Sequence, residues 1–379
     1  MGKKDKTVPP FFLMWRLAIS WLTVALFLLF GGSWLSQLSS PLSAAVLFLW
    51  LFAVILWCAF GVVEEADHLA ELLGEPLGTL VLTLSIVIIE VVLIGAVALG
   101  SEAVPTLGRD TMFAVLMIVL NGVVGLALIS GGLRHHEQAY NLQGAVAYLA
   151  VIIPLSVIAL ILPSFTKAVP VGSLTTTQAV FFSLFTVLLY GIFLAIQTGR
   201  HRGFFVEPHH DSELVASVSS PRERRAVTFA VLGRHTALLV ITILPIVLLA
   251  KQLAKLIDFG IAVLGAPPAL GGVLIALIVF APEGIATMRA ALNNQLQRSI
   301  NLSLGASAST IGLTVPAILF IGLATGKTMV LGLDPIGIAL LTLTLVLCTL
   351  TFSGSRTTVL EGTVHLVVFL VYLVLIFSP

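Results

Sequence analysis

Two stretches of thirteen residues share one pattern: Gly78-Thr-Leu-Val-Leu-Thr-Leu-Ser-Ile-Val-Ile-Ile-Glu90 and Gly271-Gly-Val-Leu-Ile-Ala-Leu-Ile-Val-Phe-Ala-Pro-Glu283. Each begins with glycine, continues through mostly apolar residues and ends in glutamate. A carboxylate is costly at membrane depth and is usually kept there for a function. The same costly residue at the same place in two halves of one chain predicts a duplicated ion site, a pattern typical of secondary transporters.

The composition is that of an integral membrane protein. Of the 379 residues, 58% are hydrophobic and only 10% are charged, whereas a soluble domain carries about 25% charged residues. The net charge of +1 gives no support for a nucleic-acid partner. Cys58 and Cys348 both lie in apolar stretches, which favours packing roles over a disulfide or a metal pair.

The apolar runs are long and uniform rather than alternating, which predicts helices and not membrane strands. About 11 transmembrane helices are expected, because each crossing needs roughly 20 apolar residues. They are placed near residues 12–32, 42–63, 77–99, 111–131, 144–163, 177–197, 227–250, 261–284, 301–324, 334–352 and 358–377. No small-residue cleavage site follows the first run, so it is predicted to remain as an uncleaved helix.

The distribution of Lys and Arg predicts the orientation. With the N-terminus in the cytoplasm, fourteen Lys and Arg residues lie on the cytoplasmic side and five on the other, namely Arg109, Lys167, Lys251, Lys255 and Lys327. The long polar break at 198–226 is then cytoplasmic. We therefore expect a multi-pass protein of the cytoplasmic (inner) membrane.

Two further matches recur in the same order as the glutamate motifs, which lie five spans apart. Leu142-Gln-Gly-Ala-Val146 matches Leu360-Glu-Gly-Thr-Val364, and Val124-Gly-Leu matches Ile311-Gly-Leu. Because five is an odd number of crossings, the second copy enters the membrane from the opposite face. The fold predicted is therefore all-α, with two inverted five-helix repeats and one extra N-terminal helix.

The whole chain, 1–379, is predicted to form a single transmembrane transporter domain. Within it, 12–32 is the extra helix, 42–197 the first repeat, 198–226 a cytoplasmic linker and 227–379 the second repeat.

Glu90 and Glu283 are the candidate ligands of the transported cation and of protons. Burial favours the neutral acid, whereas a nearby cation favours the carboxylate, so one such group can exchange a proton for a metal ion. Pro282 and Gly284 both weaken a helix, and a break there would free carbonyls such as that of Ala281 for a cation. Two carboxylates with neutral oxygens suit a hard cation such as Ca²⁺.

Weaker candidates lie on the partner spans: Asn121, Ser307, Ser309 and Thr310. Packing or helix–helix hydrogen bonding explains these four residues about as well as ion contact does. Glu361 and His365 are spaced i, i+4 and share a helix face, which indicates either a proton relay or gate, or a structural pair. The acidic stretch from Glu64 to Glu75 could gather cations, but a solvated loop or short surface helix is the favoured interpretation.

These motifs resemble those of the bacterial Ca²⁺/H⁺ exchangers of the Cha type, within the cation/Ca²⁺ exchanger superfamily. The resemblance rests on Gly74-Glu-Pro-Leu-Gly-Thr-Leu-Val-Leu-Thr-Leu-Ser, Ile89-Glu90, Ala281-Pro-Glu-Gly284, Asn293-Asn-Gln-Leu-Gln-Arg298 and Leu360-Glu-Gly-Thr-Val-His365. It implies ten core helices in two inverted repeats, with Glu90 and Glu283 binding the cation in competition with protons. Members of the group are associated with Ca²⁺/H⁺ and with Na⁺ or K⁺/H⁺ exchange.

The leading hypothesis is a cation/proton antiporter, with Ca²⁺ as the first substrate and Na⁺ or K⁺ as the alternative. A passive channel would show rings of charge or a selectivity loop. A membrane enzyme would show His-Glu-x-x-His or Gly-x-Ser-x-Gly, and neither motif occurs in the sequence. The expected partners are cations, protons and membrane lipid, with no cofactor, and the sequence leaves the oligomeric state open.

Overall fold

The structure is a computed structural model that describes residues 10–36, 40–73, 77–98, 105–207, 229–354 and 356–378. The described residues are almost entirely helical. The helices are α1 (Pro10–Ser36), α2 (Pro41–Leu73), α3 (Leu77–Ala98), α4 (Leu107–Leu116), α5 (Val124–His135), α6 (Leu142–Ser156), α7 (Thr176–Thr198), α8 (Phe229–Leu264), α9 (Ala269–Leu292), α10 (Leu296–Ser309), α11 (Val315–Thr325), α12 (Pro335–Thr351) and α13 (Val359–Phe377). Two short strands, β1 (Gln138–Ala139) and β2 (Arg356–Thr357), pair antiparallel.

Short π-helical segments extend three of these helices without interrupting the helical backbone. They are Met117–Val123 between α4 and α5, Val157–Ile161 after α6, and Thr310–Thr314 between α10 and α11. Among the described residues, nine segments are long and apolar enough to cross a membrane, which confirms the predicted all-α membrane fold. Two more apolar helices are shorter. The 17 residues of α12 span about 26 Å, against a hydrocarbon core of about 30 Å, so the count of eleven crossings stays a prediction.

Polar connections gather at two opposite ends of the bundle. We call one end the linker face; its connections are residues 134–141, 198–207, 291–301, 353–354 and 356–358. There the Asn141 N–H donates to Gln297 Oε1 at 2.6 Å, and Asn301 Nδ2 donates to the Phe205 carbonyl at 2.7 Å. Glu207 accepts hydrogen bonds from the backbone N–H groups at the start of α10, and burial raises the pKa of its carboxyl. These contacts anchor the described part of the predicted linker, and residues 208–226 lie outside the described residues.

The other end is the loop face, which consists of residues 105–110, 160–175 and 327–335. The Val330 N–H donates to the Pro105 carbonyl at 3.0 Å, and the Leu333 N–H donates to the Leu160 carbonyl at 2.8 Å. Connections that are distant in sequence therefore meet at each end. This arrangement is what a chain crossing back and forth through a membrane requires.

Helix boundaries differ from those predicted by hydropathy at α2, α8 and α9. Helix α8 continues to Leu264 rather than ending near residue 250, and α9 ends at Leu292 rather than near residue 284. The span expected at 261–284 begins at Ala269 instead, because Gly265 has a positive φ of 60° and Pro267 and Pro268 follow it. The span expected to end near residue 63 continues to Leu73, so most of the acidic stretch belongs to a long helix. Glu65 in that stretch is buried and lies 2.9 Å from His235 Nδ1, so the expectation of a solvated loop was wrong at this position.

Two helix contacts place the matched glycines at close approaches. Gly125 in α5 lies against α13, where a Cβ atom would sit 2.9 Å from the Gly362 carbonyl oxygen. Gly312, in the π segment before α11, lies against α7, where a Cβ atom would sit 2.7 Å from Cβ of Tyr190. Gly125 and Gly312 occupy matching positions in the two sequence motifs. Helix α13 packs at the first of these glycines and helix α7 at the second.

Candidate cation site

Glu90 lies on α3 with no exposed surface. Thr310 and Thr314, one helical turn apart, donate their hydroxyl protons to Glu90 Oε2 at 3.1 and 2.8 Å. The other oxygen, Oε1, is buried without a hydrogen-bond partner in the described structure. The Glu90 carboxyl group is therefore oriented by two hydroxyls and keeps one oxygen available for a cation or a proton.

Glu283 lies on α9 and is 6% exposed. Among the described residues, neither of its carboxyl oxygens has a hydrogen-bond partner. Thr287, one turn further along the same helix face, is 1% exposed and its hydroxyl also has no partner there. Buried polar oxygens are normally hydrogen-bonded, so three unpartnered oxygens together indicate a place for a ligand that the protein atoms do not supply.

The predicted helix break beside Glu283 is not present. Helix α9 runs through Pro282 from Ala269 to Leu292. Proline lacks the N–H that would bond to the carbonyl four residues earlier, so the carbonyl freed is that of Ile278 rather than that of Ala281. Ala281 is therefore not released as a backbone ligand in this structure.

The irregular backbone lies instead on the helices that face the glutamates. Thr310 begins the π segment Thr310–Thr314, and Asn121 lies in the π segment Met117–Val123. Pro316 lies just after the segment Thr310–Thr314. Because proline lacks an N–H, it accounts for the local loss of α-helical hydrogen bonding there. Such segments are frequent at functional sites because they reorient side chains within a helix.

The remaining sequence candidates form hydrogen bonds with groups other than Glu90 and Glu283. Ser307 and Ser309 donate to carbonyls of their own helix, at Ser303 and Ala306. The Asn121 amide donates to Thr344 Oγ1 at 2.8 Å. These three side chains therefore have structural hydrogen bonds, and among the four weaker candidates only Thr310 contacts a glutamate carboxyl group.

Glu361 and His365 share a helix face but bond to different partners. Glu361 accepts from the backbone N–H and the hydroxyl of Thr358 in a capping box at the start of α13. His365 is fully buried, with Nδ1 3.0 Å from Asn121 Oδ1 and Nε2 3.0 Å from Thr351 Oγ1. The structure thus uses Glu361 to cap a helix and His365 to join α13 to the π segment that contains Asn121.

Asp67, Glu283 and Glu90 lie at increasing depth from the linker face. Helix α9 ends at the linker face, so Glu283, in its second half, lies on that side of the site. The charges of Asp67 and Glu90 both act on Glu283. Helix α3 runs in the opposite direction, which places Glu90 further toward the loop face. The three carboxylates therefore form a series from the linker face inward.

The donor set favours a hard cation held by oxygen atoms. Within the described ranges, no group of three or more His, Cys, Asp or Glu residues is placed to hold a metal ion. The oxygens around the site belong to two carboxylates and to the hydroxyls of Thr287, Thr310 and Thr314. Thr287 and Thr314 were not selected from the sequence. Thr287 lies one helical turn from Glu283, and Thr314 lies one turn from Thr310, and both of those residues had been selected.

Comparison with known proteins identifies the family. The sequence matches the family described as sodium/calcium exchanger protein over residues 43–199 and 234–378. The chain belongs to this exchanger family. The predicted membership of the cation/Ca²⁺ exchangers is thereby confirmed, and the family is one of transporters rather than enzymes.

Individual relatives cover most of the exchanger chain. A putative ionic transporter of Sinorhizobium fredii is 41% identical over 340 residues, which cover 89% of this chain and 90% of the relative. The sodium-potassium/proton antiporter ChaA of Escherichia coli is 38% identical over 345 residues, which cover 91% and 92%. The solved structure of YfkE, described as a Ca²⁺/H⁺ antiporter, superposes with a TM-score of 0.72 at 15% identity, covering 96% of this exchanger and 100% of that chain. At that identity the likeness concerns the fold alone.

Proposed function

We propose that this protein is a secondary active antiporter that exchanges a cation for protons across the cytoplasmic membrane. The observation that carries the proposal is the pair of buried glutamates, Glu90 on α3 and Glu283 on α9, two helices that pack against each other. Three of their four oxygens have no partner among the described residues. Such oxygens need a proton or a cation, and competition between the two is the chemistry of an exchanger.

The proposed architecture is two inverted repeats, 42–197 and 227–379, preceded by an extra helix. The family matches the chain in two blocks of similar extent, which supports this division. The packing of α13 on α5 and of α7 on α11, each through a matched glycine, also supports it. An inverted repeat places the two glutamates on either side of a pseudo-two-fold axis near the bilayer midplane.

Alternating access follows from this architecture. In one state the site opens to the linker face and in the other to the loop face, and the carboxylates carry either the cation or protons. Two carboxylates neutralise one divalent cation or two protons, so either load crosses the apolar layer without a net charge on the pair.

We propose that the linker face is cytoplasmic, because Arg134, Arg200, Arg202, Arg298 and Arg356 lie there.

We propose Ca²⁺ as the first substrate because carboxylate and hydroxyl oxygens are the ligands it takes in proteins. Na⁺ or K⁺ is the second candidate, and a specific observation favours it. The relative that is 38% identical and covers most of the chain is named a sodium-potassium/proton antiporter. YfkE, the Ca²⁺/H⁺ antiporter compared above, shares the fold at 15% identity.

Purified protein in liposomes tests the proposed function. With a preset proton gradient and a pH-sensitive dye inside, addition of Ca²⁺, Na⁺ or K⁺ is expected to discharge the gradient. Liposomes without protein give the leak of each ion. A folded protein that moves no protons in response to any of the three cations would overturn the proposal, and the order of the responses assigns the substrate.

Removal of a hydroxyl at Glu90 tests the composition of the site. Thr314→Val keeps the side-chain shape but loses the donor to Glu90 Oε2. A hydrogen bond to a charged group contributes about 1.5–3 kcal/mol, so the apparent cation affinity is expected to fall by about tenfold or more. Thr314→Ser keeps the hydroxyl and should retain the wild-type affinity. Equal affinities in the two variants would exclude Thr314 from the site.

A further inference from the structure

We propose that Asp67, Thr287 and Glu283 form an entry site for the transported cation on the linker face, separate from the hydroxyl-bound Glu90. This inference rests on the proposed function and specifies its first binding step. The cation would be held at Asp67 in competition with Arg298 and would then pass to Glu283. Asp67 would thereby set the affinity for cations arriving from the linker face.

The buried end of the proposed site is defined by unpartnered oxygens. Both oxygens of Glu283 and the hydroxyl of Thr287 are buried and have no hydrogen-bond partner among the described residues. Their spacing of four residues places them on one face of α9. Thr287 lies closer than Glu283 to the linker-face end of the helix, so this row of oxygens extends from the glutamate toward that face.

The exposed end of the proposed site is Asp67. The extension of α2 beyond the predicted span carries this residue to the linker face, where it is exposed. Helix α2 packs on α9, and the charge of Asp67 acts on Glu283. Among the acidic residues of this stretch, Glu64 pairs with Arg16 and Glu65 with His235. Among the described residues of this stretch, Asp67 is thus the carboxylate whose charge acts on the buried glutamate.

Arg298, at the start of α10, is the basic residue whose charge acts on Asp67. Both side chains are exposed, and a charge interaction between exposed groups contributes little stability, so a cation can replace the guanidinium at small cost. The N-terminal turn of α10 is fixed by Glu207, which accepts from the N–H groups of Gln297 and Arg298. Arg298 therefore extends from an anchored backbone beside the proposed entry site.

The loop face has no equivalent arrangement in the part of the chain that the structure describes. Asp110 lies 2.8 Å from Arg109 and accepts from Thr106 at 2.9 Å, while Asp334 accepts from the Gly337 N–H at 2.8 Å as a helix cap. Asp110 and Asp334 therefore both bind partners close to them in sequence. The proposed entry site makes the two sides of the transporter unequal toward the same cation.

The test measures cation dependence from each side in vesicles of known orientation, with Ca²⁺, Na⁺ and K⁺ as probes. Asp67→Asn is expected to raise the apparent KM for the exchanged cation at the linker face by about tenfold, with the maximal rate retained, because a local negative charge concentrates cations. The KM measured from the loop face is expected to stay unchanged. Thr287→Val should raise the linker-face KM as well, whereas Thr287→Ser should not.

Two further variants separate the proposal from its alternatives. Glu137→Gln removes one charge from the same face but at an exposed ion pair with Arg356, and its KM should equal that of the wild type. Arg298→Gln removes the competitor and should lower the linker-face KM, an effect that a folding defect cannot produce. If Asp67→Asn and Arg298→Gln both behave like Glu137→Gln while the wild type exchanges cations, the entry site is overturned and the antiporter is not. If the wild type exchanges no cation, the proposed function itself has failed.

Discussion

Glu90→Gln and Glu283→Gln are each expected to eliminate cation-driven proton movement. An amide keeps the size of the side chain but has no charge to balance a cation and no acidic proton to release. With one carboxylate left, the site neutralises half of a divalent load and carries at most one proton. Dye-loaded liposomes holding a preset proton gradient should therefore give the same signal with either variant as without protein.

The fold of these variants is expected to survive. At position 90 the hydroxyls of Thr310 and Thr314 can still donate to the amide oxygen, because both donate to Glu90 Oε2 in the native protein. At position 283 a neutral amide is less costly to bury than an unpartnered carboxylate. Glu137→Gln, an exposed change, is the control for activity. Wild-type exchange rates in a folded Glu90→Gln or Glu283→Gln protein would contradict the assignment.

Gly125→Ala is expected to destabilise the protein. The added Cβ would lie 2.9 Å from both the Gly362 carbonyl oxygen and the Leu366 nitrogen, and backbone atoms cannot rotate away as a side chain can. Overpacking of this kind costs about 1–3 kcal/mol. The midpoint of thermal unfolding in detergent should fall, because α5 and α13 would have to separate.

Gly191→Ala provides the matched control for this change. No atom lies within 4 Å of the position that its Cβ would take on α7. Since alanine is favoured over glycine in a helix by about 1 kcal/mol, the control should be neutral or slightly stabilising. Equal unfolding midpoints for the two variants would show that α5 and α13 are not in close contact at Gly125.

Hydropathy and the internal matches predicted the class of fold and the residues at its centre. Runs of apolar residues located the helices, and the shared motif selected Glu90 and Glu283 before any contact was known. Hydropathy failed where a helix leaves the apolar layer. The charges from Glu64 to Glu71 resemble a loop in composition, yet contacts of Glu64 with Arg16 and of Glu65 with His235 hold this segment on α2.

Of the three hydroxyls around the site, the sequence selected only that of Thr310, as a weaker candidate. Thr287 and Thr314 are typical of apolar helices, where a hydroxyl commonly bonds to a carbonyl of its own helix, as Ser307 does. Only tertiary contacts distinguish the threonines that donate to Glu90 from the others. The π segments likewise have no reliable sequence signal, and they alter which side chains face the glutamates.

The unpartnered oxygens of Glu283 bear on how tightly the two fluxes are linked. If the transporter changed its facing without a load, two ionised carboxylates would have to cross the apolar layer with few donors around them. That passage is costly in a medium of low dielectric constant. A cation or protons remove the penalty, so only loaded transporters would turn over. The same oxygens that bind the substrate would thus suppress slippage, the futile return of an empty transporter that dissipates the proton gradient.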